Sequence, residues 1–152
     1  MEQSLPNKLA GQVDVMRVAL RLCFGAVPLL AGLDKFFNLL TDWPHYLSPL
    51  AAGLLPVAPA TAMHVIGVVE ITVGLIVFSR WTIAGSLIVS VWLALIALNL
   101  VAGGFFDIAV RDLVLAVAAY TLACLSAAHE SAARRDSAAG RSDRIAAARN
   151  AA

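Results

Sequence analysis

Apolar residues run along this chain in four long blocks, interrupted by short polar or proline-bearing links, at about residues 15–40, 60–79, 81–102 and 106–128. Each block supplies the roughly 20 residues that a helix needs to cross a hydrocarbon core about 30 Å thick. Strands are excluded, because an open sheet edge in lipid leaves backbone N–H and C=O groups unpaired. The pattern therefore predicts an all-α integral membrane four-helix bundle of up-down topology. The link at Ser79 to Trp81 is a tight hairpin, and Gly103 and Gly104 form the helix stop before the fourth block. The longer link, residues 41–59, carries Pro44, Pro49, Pro56 and Pro59 with Trp43 and Tyr46, which suits a segment lying in the headgroup layer.

Composition agrees with this pattern and removes the soluble alternative. Of 152 residues, 61% are hydrophobic and 14% charged, with a mean hydropathy of +0.83. Soluble domains carry about 25% charged residues. The first block resembles a signal peptide in position, but its apolar run is too long and no small-residue cleavage site follows, so it is expected to be retained.

Charge orients the bundle. Lys8, Arg17, Arg21, Arg80, Arg134, Arg135, Arg141, Arg144 and Arg149 fall on one side, while Lys35 and Arg111 fall on the other. The positive-inside rule then places both termini in the cytoplasm, in a bacterial-type cytoplasmic membrane. The chain divides into a cytoplasmic N-terminal segment, 1–12, a transmembrane domain, 13–128, and a basic cytoplasmic tail, 129–152. That tail either rests on anionic lipid or is a disordered or frayed helical extension. No sequence-specific nucleic-acid motif is present.

The chemistry resides in polar residues at membrane depth, where ionisable groups are costly and normally face the bundle interior. In the second block His64, Gly67, Glu70 and Gly74 recur at steps of three, three and four, with Glu70 near the midplane. Arg21, Gly25, Pro28, Gly32 and Lys35 form a stripe on the first block, and Gly85, Trp92 and Asn99 one on the third. With the stripes facing inward, Asp34, Lys35, His64, Asn99, Arg111 and Asp112 converge in the outer half above Glu70, as an outward-opening polar pocket. Gly25, Gly32, Gly67, Gly74 and Gly85 are the close-packing positions. A structural reading stands beside this one: Asp34 and Lys35 as an interfacial helix end with the lysine snorkelling to headgroups, and the remainder as hydrogen-bonded bundle glue.

Three segments carry a family resemblance. "AGLDKF" closing the first block, "VVEITVGLIVF" in the second and "RDLVLAVAAY" in the fourth resemble the DoxX-like membrane proteins, relatives of the small subunit of a thiosulfate:quinone oxidoreductase. The resemblance covers roughly residues 13–128. It implies a membrane subunit associated with an oxidoreductase or respiratory complex and the quinone pool, with Gly32, Lys35, Glu70, Gly74 and Asp112 at the family's recurring small and polar positions. No catalytic residue is implied.

Physical chemistry permits the same ligand. A quinone needs an apolar slot, donors for its carbonyls and a proton source. Glu70 or His64 suits the last role, and Lys35, Arg111 or Asn99 the second. No covalently held cofactor is implied: the three histidines are too scattered for paired haem ligands, no clustered cysteines offer an iron–sulfur or metal site, and Cys23 and Cys124 read as small buried hydrophobes. The partners expected are the bilayer, other membrane or redox subunits, and a quinone. Three functions remain open: a quinone-linked oxidoreductase subunit, a non-enzymatic anchor or assembly subunit, and a small transporter or channel component.

Overall fold

The structure, a computed structural model, describes residues 4–150, with side chains described for residues 9–141 and for Arg144. Lys8 and Arg149, counted above for orientation, lie outside the described side chains. The order is α1 (Ser4–Asp34), a 3₁₀ turn (Trp43–Tyr46), α2 (Pro49–Leu54), α3 (Pro59–Phe78), α4 (Thr82–Ala102) and α5 (Phe106–Asn150). Four of these, α1, α3, α4 and α5, are long and apolar enough to cross a membrane. The chain is a multi-pass membrane protein with an all-α bundle fold.

Its exposed surface confirms the solvent it expects. Val27, Leu30, Val65, Val91, Leu98, Val110 and Val117 all point outward, whereas Lys35, Glu70, Ser86 and Ser126 are buried. That inversion is stable only where the surroundings are lipid.

Helix ends follow from identifiable residues. Pro59 opens α3, where a missing N–H costs nothing. At its other end the Arg21 guanidinium donates to the carbonyls of Val77 (3.1 Å), Phe78 (2.7 Å) and Ser79 (2.8 Å), satisfying groups that a helix terminus leaves unpaired. Gly104, at φ +83°, reverses the chain after α4 while the Phe105 N–H returns to the Leu100 carbonyl (2.9 Å).

Three boundaries differ from the sequence pattern. The helix α1 ends at Asp34, six residues before the apolar block does. Asn38 adopts the left-handed conformation (φ 50°), its N–H bonds the Asp34 carbonyl (2.7 Å), and the Asp34 carboxylate takes the N–H groups of Leu39 (3.0 Å) and Leu40 (3.1 Å). Those bonds turn the chain although Leu39 and Leu40 remain apolar. At its start α1 reaches back to Ser4, and α5 continues through the basic segment to Asn150. The two helices approach each other at Asp14, which lies 3.4 Å from His129 Nδ1 and accepts from Arg17 Nη2 at 2.7 Å. The tail is one helix with the last span, and Arg134 pairs with Glu130 one turn back (3.5 Å).

The bundle is assembled from two helix pairs, α1 with α3 and α4 with α5, joined by the α3–α4 hairpin and by α1 against α5. One apolar cluster holds Phe24, Val73, Val77, Val89, Ala119 and Leu122. Another, near the loop end, holds Ala97, Leu100 and Ala109 under Tyr46 and Phe105. Glycine sets the first pair's spacing: a Cβ on Gly32 would lie 2.6 Å from the Gly67 carbonyl oxygen, and one on Gly67 would lie 2.6 Å from that of Gly32. Seven residues along, a Cβ on Gly74 would meet the Gly25 carbonyl at 2.7 Å. The two backbones therefore touch at both crossings, as small residues permit in lipid.

Candidate functional site

The centre of the site is an ion pair. Lys35 Nζ lies 2.5 Å from Glu70 Oε2, with the two side chains 5% and 8% exposed. The Gly32–Gly67 crossing fixes the antiparallel register, so Lys35 sits three residues beyond it toward the loop end and Glu70 three residues beyond it the other way. About 9 Å of helical rise separates them, and the extended lysine spans it. Its stem passes over Gly67, where a Cβ would lie 3.2 Å from Lys35 Cβ. The lysine thus reaches inward to the bundle's middle, and the alternative of an ammonium snorkelling to headgroups is corrected.

The loop closes over this pair. Trp43 places its ring 3.8 Å below the Lys35 ammonium and donates its indole N–H to Asp34 Oδ2 at 2.8 Å. Asp34 is buried, and its carboxylate serves Trp43, Leu39 and Leu40, so it is a cap for the chain reversal with its acceptors already occupied. Asn99 holds the same loop from α4, accepting the Ser48 N–H (3.0 Å) and donating to the Tyr46 carbonyl (2.8 Å). It therefore belongs to the loop's anchorage and does not point at Glu70.

From α5, Asp112 faces inward, half-buried, and its charge acts on both Glu70 and Lys35. Among the described residues it has no hydrogen-bond partner. From α4 the Trp92 indole N–H is fully buried and turned toward the Glu70 carboxylate without reaching hydrogen-bond geometry. The layer so formed joins the two helix pairs: Lys35 and Glu70 belong to one, Trp92 and Asp112 to the other.

Two expected members lie elsewhere. His64 is exposed and stacks on Phe36, with ring centroids 5.0 Å apart. Six residues of helix rotate it about 120° away from Glu70, so the shared small-step spacing does not give a shared face. Arg111 is 74% exposed and sits 3.8 Å from Asp107 on the outer surface of α5. Adjacent helical residues diverge by about 100°, so Asp112 facing inward turns Arg111 outward. The polar set is accordingly narrower than the pocket predicted, and its middle is closed by an ion pair.

Sequence reasoning missed Trp43 and passed over Trp92. Trp43 lies in an irregular link, where no periodicity assigns a direction. Trp92 carried a signal, since it shares the third block's stripe with Gly85 and Asn99, but an apolar ring there reads as packing. The five glycines expected at close contacts are all buried. Cys23 and Cys124 are free and exposed toward lipid, which corrects their reading as buried hydrophobes.

Fold and site together define a multi-pass membrane helix bundle with a charged layer sealed between two helix pairs. Comparison with family models, with curated proteins and with solved structures returned no match for this chain.

Proposed function

We propose that this chain is a DoxX-like membrane subunit of an oxidoreductase or respiratory assembly, and that the Lys35–Glu70 layer borders a quinone site. The observation that carries the reading is the pair of incompletely engaged hydrogen-bonding groups beside the ion pair: a buried indole N–H on Trp92, turned toward Glu70 short of hydrogen-bond geometry, and a half-buried carboxyl on Asp112. A layer serving only to hold helices together has no need of an unpaired donor, which costs about 1–3 kcal/mol when buried. A quinone carbonyl accepts from such a donor, a quinol hydroxyl donates to such a carboxyl, and the surrounding apolar helices accommodate a prenyl tail. The resemblance in the first, second and fourth spans supports the assignment to this class. The excess of basic residues at the end holding both termini supports a cytoplasmic location for that end, in a bacterial-type membrane.

A second reading, an anchor or assembly subunit, has its own support. Asp34 and Asn99 spend their hydrogen bonds on the loop and none on the layer.

Turnover in native membranes separates the two. Glu70→Gln is expected to lower quinone-linked turnover about tenfold at unchanged protein level, the equivalent of roughly 1.4 kcal/mol. Unchanged turnover defeats the quinone reading. Loss of a partner enzyme on deletion of the chain, with no effect from Glu70→Gln, establishes the assembly role in its place.

A further inference from the structure

One ammonium faces two carboxyl groups in the middle of this bundle. Lys35 is committed to Glu70 by a direct ion pair. Asp112, on α5, lies within electrostatic reach of both and receives no hydrogen bond from any described residue. Every other charged side chain nearby is accounted for. Asp34, at the end of α1, is engaged by the N–H groups of Trp43, Leu39 and Leu40. On α3 the ionisable neighbour of Glu70 toward the loop end is His64, which is exposed and stacked on Phe36. The helix α4 has no ionisable side chain along its length and contributes the Trp92 N–H. On α5, Arg111 and Asp107 are exposed and near each other.

With all three groups ionised the layer would carry one net negative charge at membrane depth. An uncompensated charge there costs several kcal/mol, and a buried group neutralises itself instead. Glu70 is neutralised by the ammonium; among the described residues no second cation is placed beside Asp112. We propose that the Lys35–Glu70–Asp112 layer is a binding site for a single exchangeable proton, held on the Asp112 carboxyl. The lysine fixes the number of protons: it compensates one carboxylate, and the second acid takes the proton. This assigns the proton-carrying role to Asp112, although Glu70 is the residue that the sequence pattern brings forward. The inference concerns the ligand-free protein and stands whether or not a quinone binds.

Charge neutrality makes the proposal countable by infrared spectroscopy of the purified protein in lipid at neutral pH, where a protonated carboxyl gives a C=O stretch that shifts on H/D exchange. The wild type is expected to show one such carboxyl. Asp112→Asn is expected to show none, because Lys35 and Glu70 still compensate each other. Glu70→Gln is also expected to show none, because the freed ammonium turns to Asp112, which then ionises. Lys35→Met is expected to show two, since both acids must then be neutral. Absence of the band in the wild type overturns the proposal, as does its survival in Asp112→Asn or an unchanged single band in Lys35→Met. These counts need no quinone, so a failure of the quinone reading in turnover leaves them distinguishable from a failure of the proton site.

Discussion

Lys35→Met is expected to lower the unfolding free energy by about 3–5 kcal/mol, the cost of leaving one partner of a buried ion pair alone. In the variant the Glu70 side chain remains 8% exposed with no cation beside it. It then folds as a neutral acid, so the native state holds a proton that the unfolded chain releases above the ordinary glutamate value of about 4.3. Because the native state binds more protons, stability rises as pH falls, and the deficit is expected to shrink by roughly 1.4 kcal/mol per unit. The double variant Lys35→Met/Glu70→Leu replaces the pair with apolar side chains and is expected to recover to within about 1 kcal/mol of the wild type. Reversible unfolding in mixed micelles measures all three. A double variant as unstable as Lys35→Met would show that the lysine acts through Trp43 packing, with its ring 3.8 Å from the ammonium, and not through Glu70.

The next largest effect is expected at the glycine crossings. Gly67→Ala places a methyl group 2.6 Å from the Gly32 carbonyl oxygen and 3.2 Å from Lys35 Cβ. The first of these is backbone and cannot rotate away, so α1 and α3 must separate. Overpacking of this kind costs about 1–3 kcal/mol, and here it also draws Lys35 away from Glu70. Gly32→Ala meets the Gly67 carbonyl at the same distance and is expected to behave alike. The two together should cost less than their sum, because both relieve one contact. Gly53→Ala serves as the control, since nothing lies within 4 Å of a Cβ there. Equal stability of the Gly67→Ala and Gly53→Ala variants in the same unfolding assay would remove the close α1–α3 approach from the account.

The parts of this architecture that the sequence discloses are those carried by period and contrast. In a run that is otherwise apolar, a glycine or a charge stands out, and helical period tells which of them share a face. That is why Arg21, Gly25, Pro28, Gly32 and Lys35 on α1, and Gly67, Glu70 and Gly74 on α3, are found along the seam between helices. The same arithmetic fails for His64, because steps of three and three accumulate a drift that carries it off the stripe. It also fails for Arg111 and Asp112, where neighbouring charges diverge and only one turns inward.

What the pattern does not disclose depends on the chain folding back on itself. Hydropathy carries α1 through Leu40, yet Asn38 and the Asp34 carboxylate stop it at Asp34. Trp43 over Lys35, and Asn99 holding Ser48 and Tyr46, join a link of irregular backbone to helices with no common period. The helical state of the tail was hidden for a different reason. Its Ala and Arg content favours helix, but its polarity offers no face to bury, so composition alone also permits a frayed segment.

Quinone content of the purified protein tests the central claim most directly, with the double variant Lys35→Met/Glu70→Leu as the comparison, because it is expected to keep the fold while removing the ion pair that Trp92 and Asp112 adjoin. Both proteins, extracted in mild detergent and normalised for folded protein, are assayed by solvent extraction and chromatography. The account predicts that the wild type retains quinone and that the folded double variant loses most of it. Equal quinone in the two, or none in the wild type, would contradict the assignment of the Lys35–Glu70 layer to a quinone site.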